Sequence, residues 1–110
     1  MVHRTIELPV TTRDALVIAT RAIETSGLAI TSLAQEPGAV VARIRFGWYA
    51  LDGKVRITAE ELSGRSTRID IEVASNRTIN VNDWGKTQQW ADALLRRIQE
   101  LSAQGQVPSY

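Results

Sequence analysis

A chain of 110 residues with 44% hydrophobic content is sized for one domain around one core, and it is too apolar to be disordered. It contains no cysteine, which excludes a disulfide framework, a thiolate metal site and a cysteine nucleophile. Its formal net charge of +1 gives no electrostatic argument for nucleic acid or anionic lipid as a main partner.

The opening Met1 to Glu7 has no apolar signal core, and the purely apolar runs are too short to span a bilayer. A cytoplasmic location is therefore expected, with no membrane partner. His3 to Leu8 alternates as a strand, with Arg4, Ile6 and Leu8 on one side, and Pro9 ends it. A helix follows. Thr11 is its N-cap, with Asp14 three residues on, and Ala15, Leu16, Ile18, Ala19, Ala22 and Ile23 form its apolar face. Gly27 supplies the left-handed residue that stops it.

Four extended segments come next, near Leu28–Glu36, Ala39–Tyr49, Lys54–Leu62 and Thr67–Ser75. The turn signals Pro37-Gly38, Asp52-Gly53 and Ser63-Gly64-Arg65 separate them. A hairpin closed at Asp52-Gly53 pairs Ala50 with Val55, Trp48 with Ile57 and Phe46 with Ala59. A hairpin closed by Ser63-Gly64-Arg65 pairs Val55 with Val73, Ile57 with Ile71 and Ala59 with Ile69. Both put apolar residues on one face and charges such as Arg56, Glu60, Arg68 and Glu72 on the other. A slip of one residue would place Ile57 opposite Glu72, so the alternation rejects it. A short stretch, Thr78 to Val81, continues the last strand or pairs elsewhere. The final element is a helix from about Asp83, its expected cap, to Gln104. Ala91, Leu94, Leu95, Ile98 and Leu101 recur at helical spacing beside Trp90, and 105–110 form a polar tail.

The order β-α-β-β-β-β-α predicts a single α+β domain over 1–110: an antiparallel β-meander with both helices on one face. The placement of the first strand in the sheet stays open. The last third resembles the ending of small uncharacterised bacterial domains, in which a Thr-Arg strand closing on Ala-Ser leads to Asp-(Trp or Leu)-Gly and a long helix. The matching residues here are Thr67-Arg68, Ala74-Ser75 and Asp83-Trp84-Gly85. That resemblance implies the same fold and no assigned activity.

Few residues suggest chemistry. His3 is the only histidine and sits near a terminus, with nothing beside it in sequence to complete a metal site. Asn80-Val81-Asn82-Asp83 lacks the glycine and glutamate of a calcium loop. There is no phosphate loop, nucleophile elbow or metal motif, so neither a catalytic residue nor a cofactor is assigned. The outer-face arginines Arg43, Arg45, Arg56 and Arg68 are interleaved with Glu60, Asp70 and Glu72. They read as a charge ladder rather than a nucleic-acid platform. Two sites remain. Ala29, Thr31, Leu33 and Val41 are expected on the outer face as an uncharged patch for a protein partner or a second copy. Trp48, Glu61 and Trp90 are expected at the mouth of a cavity between the sheet and the C-terminal helix, which would take a small apolar ligand. Glu61 earns its place because its strand parity puts a carboxylate on the apolar face. The residues favour an interaction or self-associating domain first, an apolar-ligand carrier second and an enzyme last, because no acid–base or nucleophile–base pair can be assembled.

Overall fold

The computed structural model describes residues 2–27, 30–46, 51–75 and 81–103. In chain order the elements are β1 (Val2–Leu8), α1 (Thr12–Thr25), β2 (Ile30–Glu36), β3 (Ala39–Phe46), β4 (Leu51–Ser63), β5 (Ser66–Ser75) and α2 (Val81–Ala103). The strands form one antiparallel sheet in the order β1-β5-β4-β3-β2. The predicted α+β class and element order are those of the structure. The first strand takes its place beside β5, at the far edge from β2.

Both ends of α1 follow from local chemistry. The Thr11 hydroxyl accepts a bond from the Asp14 backbone N–H at 3.2 Å, which satisfies one of the free donors of the first turn. At the other end Gly27 has φ +84°, where a side chain would be strained. Ala15, Ile18, Ala19, Ala22 and Ile23 are buried on the α1 face, and Ala91, Leu94, Ile98 and Leu101 on the α2 face. They cover Val55, Ile57, Ile69, Ile71 and Val73, all fully buried.

The β4–β5 ladder has the predicted register: Val55 faces Val73, Ile57 faces Ile71, Ala59 faces Ile69, Arg56 faces Glu72 and Glu60 faces Arg68. The loop is shorter than expected. Ser63 pairs with Ser66 around Gly64-Arg65, and a bulge between Glu61 and Ser63 absorbs the extra residue.

The β3–β4 hairpin differs from the expectation. Asp52 and Gly53 are not its turn but lie within β4, opposite Arg45 and Ile44. Val55 faces Ala42 and Ile57 faces Val40, rather than Ala50 and Trp48. The expected register would run Ala39 to Val41 past the end of β4. The observed one gives every β3 residue a cross-strand neighbour on β4, from Ala39 with Thr58 to Phe46 with Leu51. Residues 47–50, Trp48 among them, lie outside the described residues.

Two further boundaries move. The last helix begins at Val81, so Asp83 lies inside its first turn and is not its N-cap. The expected extended stretch from Thr78 reaches the described residues only at Val81, which is helical. Arg4, on the apolar side of β1, is accommodated because its Nε donates to Asp92 Oδ1 of α2 at 2.8 Å. Arg97 of α2 donates to Thr25 Oγ1 of α1 at 2.9 Å, tying the two helices together.

Candidate functional site

The helices do not cover the whole sheet. α2 packs on β1 and β5, and α1 on β3, β4 and β5. β2 overhangs: every residue from Thr31 to Glu36 is exposed. Under that overhang, between α1 and the β2–β3 hairpin, lies a groove of about 470 Å³.

One wall is the outward quarter of α1. Thr12 and Leu16, and Arg13 and Val17, are pairs four residues apart and therefore share one side of the helix. Leu16 and Val17 are half-buried. The floor is the start of β3, where Ala39 and Val40 are 2% and 1% exposed. The opposite wall is the end of β2. Gln35 pairs with Val40, so its side chain is on the helix side of the sheet. The Pro37-Gly38 turn, with Gly38 at φ +72°, returns the chain from this wall into the floor. Gly38 O accepts a bond from the Ala59 N–H at 2.9 Å, fixing the hairpin to β4.

The interior of the groove is apolar and its rim is polar. Glu36 is already ion-paired, its Oε1 lying 3.6 Å from Arg56 Nη1. Arg13 is exposed, and among the described residues no carboxylate reaches it.

The patch expected on the outer face is divided by a bulge between Ile30 and Ser32. Before it, Ile30 faces Ile44 on the helix side. After it, Leu33 faces Ala42 on that same side, and Ala34 faces Val41 on the outer side. Leu33 is therefore not an outer-face residue and is not beside Val41. It is 37% exposed because it stands on the overhang, beyond α1. Thr31 is exposed and its hydroxyl donates to Arg43 O at 3.3 Å. Val41 is outward and half-buried, and Ala29 lies outside the described residues.

Of the residues expected around a cavity under α2, Glu61 is exposed opposite Thr67, next to the β4 bulge. Trp90 is half-buried against the core. Neither lines the groove. The outer face carries the expected charge ladder: Arg68 pairs with Glu60 and approaches Asp70 at 3.6 Å. His3 is exposed, with Nε2 3.4 Å from Asp70 Oδ1. Among the described residues no group of three His, Asp or Glu could hold a metal, and no helix is long and apolar enough to cross a membrane.

No family model matches the chain, and no curated protein matches it. Solved structures share its fold. A conserved protein from Geobacillus kaustophilus superposes with a TM-score of 0.52 at 12% identity, over 93% of this chain and 94% of that one. The di-domain ARO/CYC StfQ from the steffimycin biosynthetic pathway superposes with a TM-score of 0.51 at 10% identity, over 96% of this chain. This chain spans 46% of that longer one. A START superfamily protein from Mycobacterium smegmatis aligns over 91% of this chain at 15% identity with a TM-score of 0.34, too low to extend the comparison.

Proposed function

We propose that this chain binds a small, largely apolar molecule in the groove between α1 and the β2–β3 hairpin. The observation that carries the reading is the groove: about 470 Å³, with an apolar floor and helix wall and a few polar groups at the rim. Small-molecule sites occupy roughly 300–1,000 Å³ and have that lining. The fold it shares with StfQ, an ARO/CYC protein of a biosynthetic pathway, is compatible with ligand binding and brings no chemistry with it at 10% identity. The groove is lined by Leu16, Val17, Ala39 and Val40 among others, and neither Glu61 nor Trp90 lines it.

The test uses N-phenyl-1-naphthylamine, a neutral apolar dye whose emission rises out of water. The unaltered protein gives a saturable rise. Val17→Gln, which keeps the helix but removes an apolar contact from the groove wall, weakens binding by about tenfold. Val41→Gln, on the outer face, leaves it unchanged. Absence of a saturable rise, or equal weakening by both variants, refutes the proposal.

Self-association is a second reading, and the topology favours it in one respect. β2 is an edge strand without a lysine, and β1, the strand that could have covered it, is at the opposite edge. A second copy pairing along β2 about a two-fold axis would satisfy its free backbone groups.

A further inference from the structure

We infer that the preferred ligand of the groove is an amphipathic anion, an apolar body ending in a carboxylate, with Arg13 as the residue that selects the charge; this rests on the groove being a binding site. The inference comes from the charge balance around the groove. Three polar side chains besides Arg13 border it: Thr12, Gln35 and Glu36. Only Glu36 is negative, and its carboxylate lies against Arg56 at 3.6 Å, a pairing made from β4 and not from the groove. Thr12 and Gln35 are neutral and can donate hydrogen bonds. The remaining charge at the rim is the Arg13 guanidinium, which no carboxylate among the described residues reaches.

The position of Arg13 matches that task. It is four residues before Val17 on the same side of α1, one helical turn away, and it borders the groove beside the apolar wall. A ligand lying along Leu16, Val17 and Val40 brings its polar end to Arg13. A guanidinium offers a carboxylate two parallel N–H donors, whereas it offers an ammonium only repulsion and an alcohol a weaker neutral bond. The positive charge of Arg13 itself disfavours a cationic ligand.

The experiment compares decanoate, decanol and decylammonium, each below the concentration at which it self-associates, by isothermal titration calorimetry. The three share one apolar body and differ in head charge. The unaltered protein binds decanoate about three- to tenfold more tightly than decanol, and decylammonium most weakly. Arg13→Gln removes the preference, so that decanoate and decanol bind the variant with affinities within about twofold of each other. Raising the salt narrows the gap in the unaltered protein and has little effect on the variant. Equal binding of decanoate and decanol by the unaltered protein overturns the inference while leaving the groove as an apolar site. A decanoate preference that survives Arg13→Gln assigns the selection elsewhere and also overturns it. Binding of none of the three overturns both the inference and the reading beneath it.

Discussion

Replacing Ile71 by alanine should destabilise the protein far more than replacing Arg56 by alanine, although the two sit on adjacent strands of one sheet. Ile71 is fully buried, between Ile57 on β4 and Arg4 on β1, under the helices. The substitution removes three carbon atoms, worth about 2.4 kcal/mol at roughly 0.8 kcal/mol per methylene. The void left beneath close-packed helices adds to that, for a total of about 2–5 kcal/mol. Arg56 faces outward, and its 3.6 Å contact with Glu36 joins two side chains that are 43% and 46% exposed. Solvent screens such a pair, so its loss costs at most about 1 kcal/mol. Urea unfolding followed by tryptophan emission and circular dichroism measures both. With a urea slope of about 1.5 kcal/mol per molar, the Ile71→Ala midpoint falls by roughly 1.3–3.3 M and that of Arg56→Ala by less than about 0.7 M. Equal midpoints, or a larger fall for Arg56→Ala, would refute the assignment of the two faces.

Gly27→Ala keeps every contact, because nothing lies within 4 Å of the added methyl, yet it places a side chain at φ +84° and should cost about 1 kcal/mol in midpoint stability. A neutral result would mean that the end of α1 relaxes without loss. Thr67→Val tests a bond that joins β5 to the entry of α1. The Thr67 hydroxyl, fully buried, donates to Val10 O at 2.8 Å, and its removal should lower stability by about 1–3 kcal/mol with the shape conserved. An unchanged midpoint would show that the bond contributes nothing net. For the edge reading, sedimentation at micromolar concentration should find a dimer that Leu33→Lys dissociates. A monomer insensitive to that change counts against self-association through β2.

The sequence was informative where alternation and turn chemistry agreed, and ambiguous where they did not. The β4–β5 pairing was legible because a slip of one residue sets Ile57 against Glu72, and the short Gly64-Arg65 loop leaves only one even alternative close by. The β3–β4 pairing was not. Period-two alternation distinguishes odd slips from even ones, and the true register differs from the expected one by eight positions. Val40, Ala42 and Ile44 are as apolar as Phe46, Trp48 and Ala50, so side-chain matching fits both. Asp52-Gly53 carried the strongest turn signal in the segment, yet Gly53 is buried within a strand opposite Ile44. The expected register would leave Ala39, Val40 and Val41 beyond the end of β4, whereas the observed one pairs all of 39–46.

The groove was illegible for a related reason. Its residues are unremarkable singly: Leu16 belongs to the α1 face, Ala39 and Val40 start a strand, and Arg13 is a helix-surface arginine. What makes them a site is that two helices cover four strands of a five-stranded sheet, and strand order is a tertiary property. The position of β1 next to β5 sets that overhang. The face of Leu33 depends on the bulge after Ile30, which no residue in Ile30-Thr31-Ser32 announces. Arg4 was readable in part, since a cation on the apolar side of a strand requires a partner, and Asp92 supplies it.

The most direct test of the groove as the binding site is a map of backbone amide shifts by two-dimensional ¹⁵N–¹H correlation spectroscopy during titration with N-phenyl-1-naphthylamine. The account predicts saturable shifts concentrated in residues 12–17 of α1 and 35–40 of the β2–β3 hairpin, with the outer-face amides of β5 unmoved. Shifts centred instead on α2 around Trp90, or on the outer face of the sheet, would contradict it.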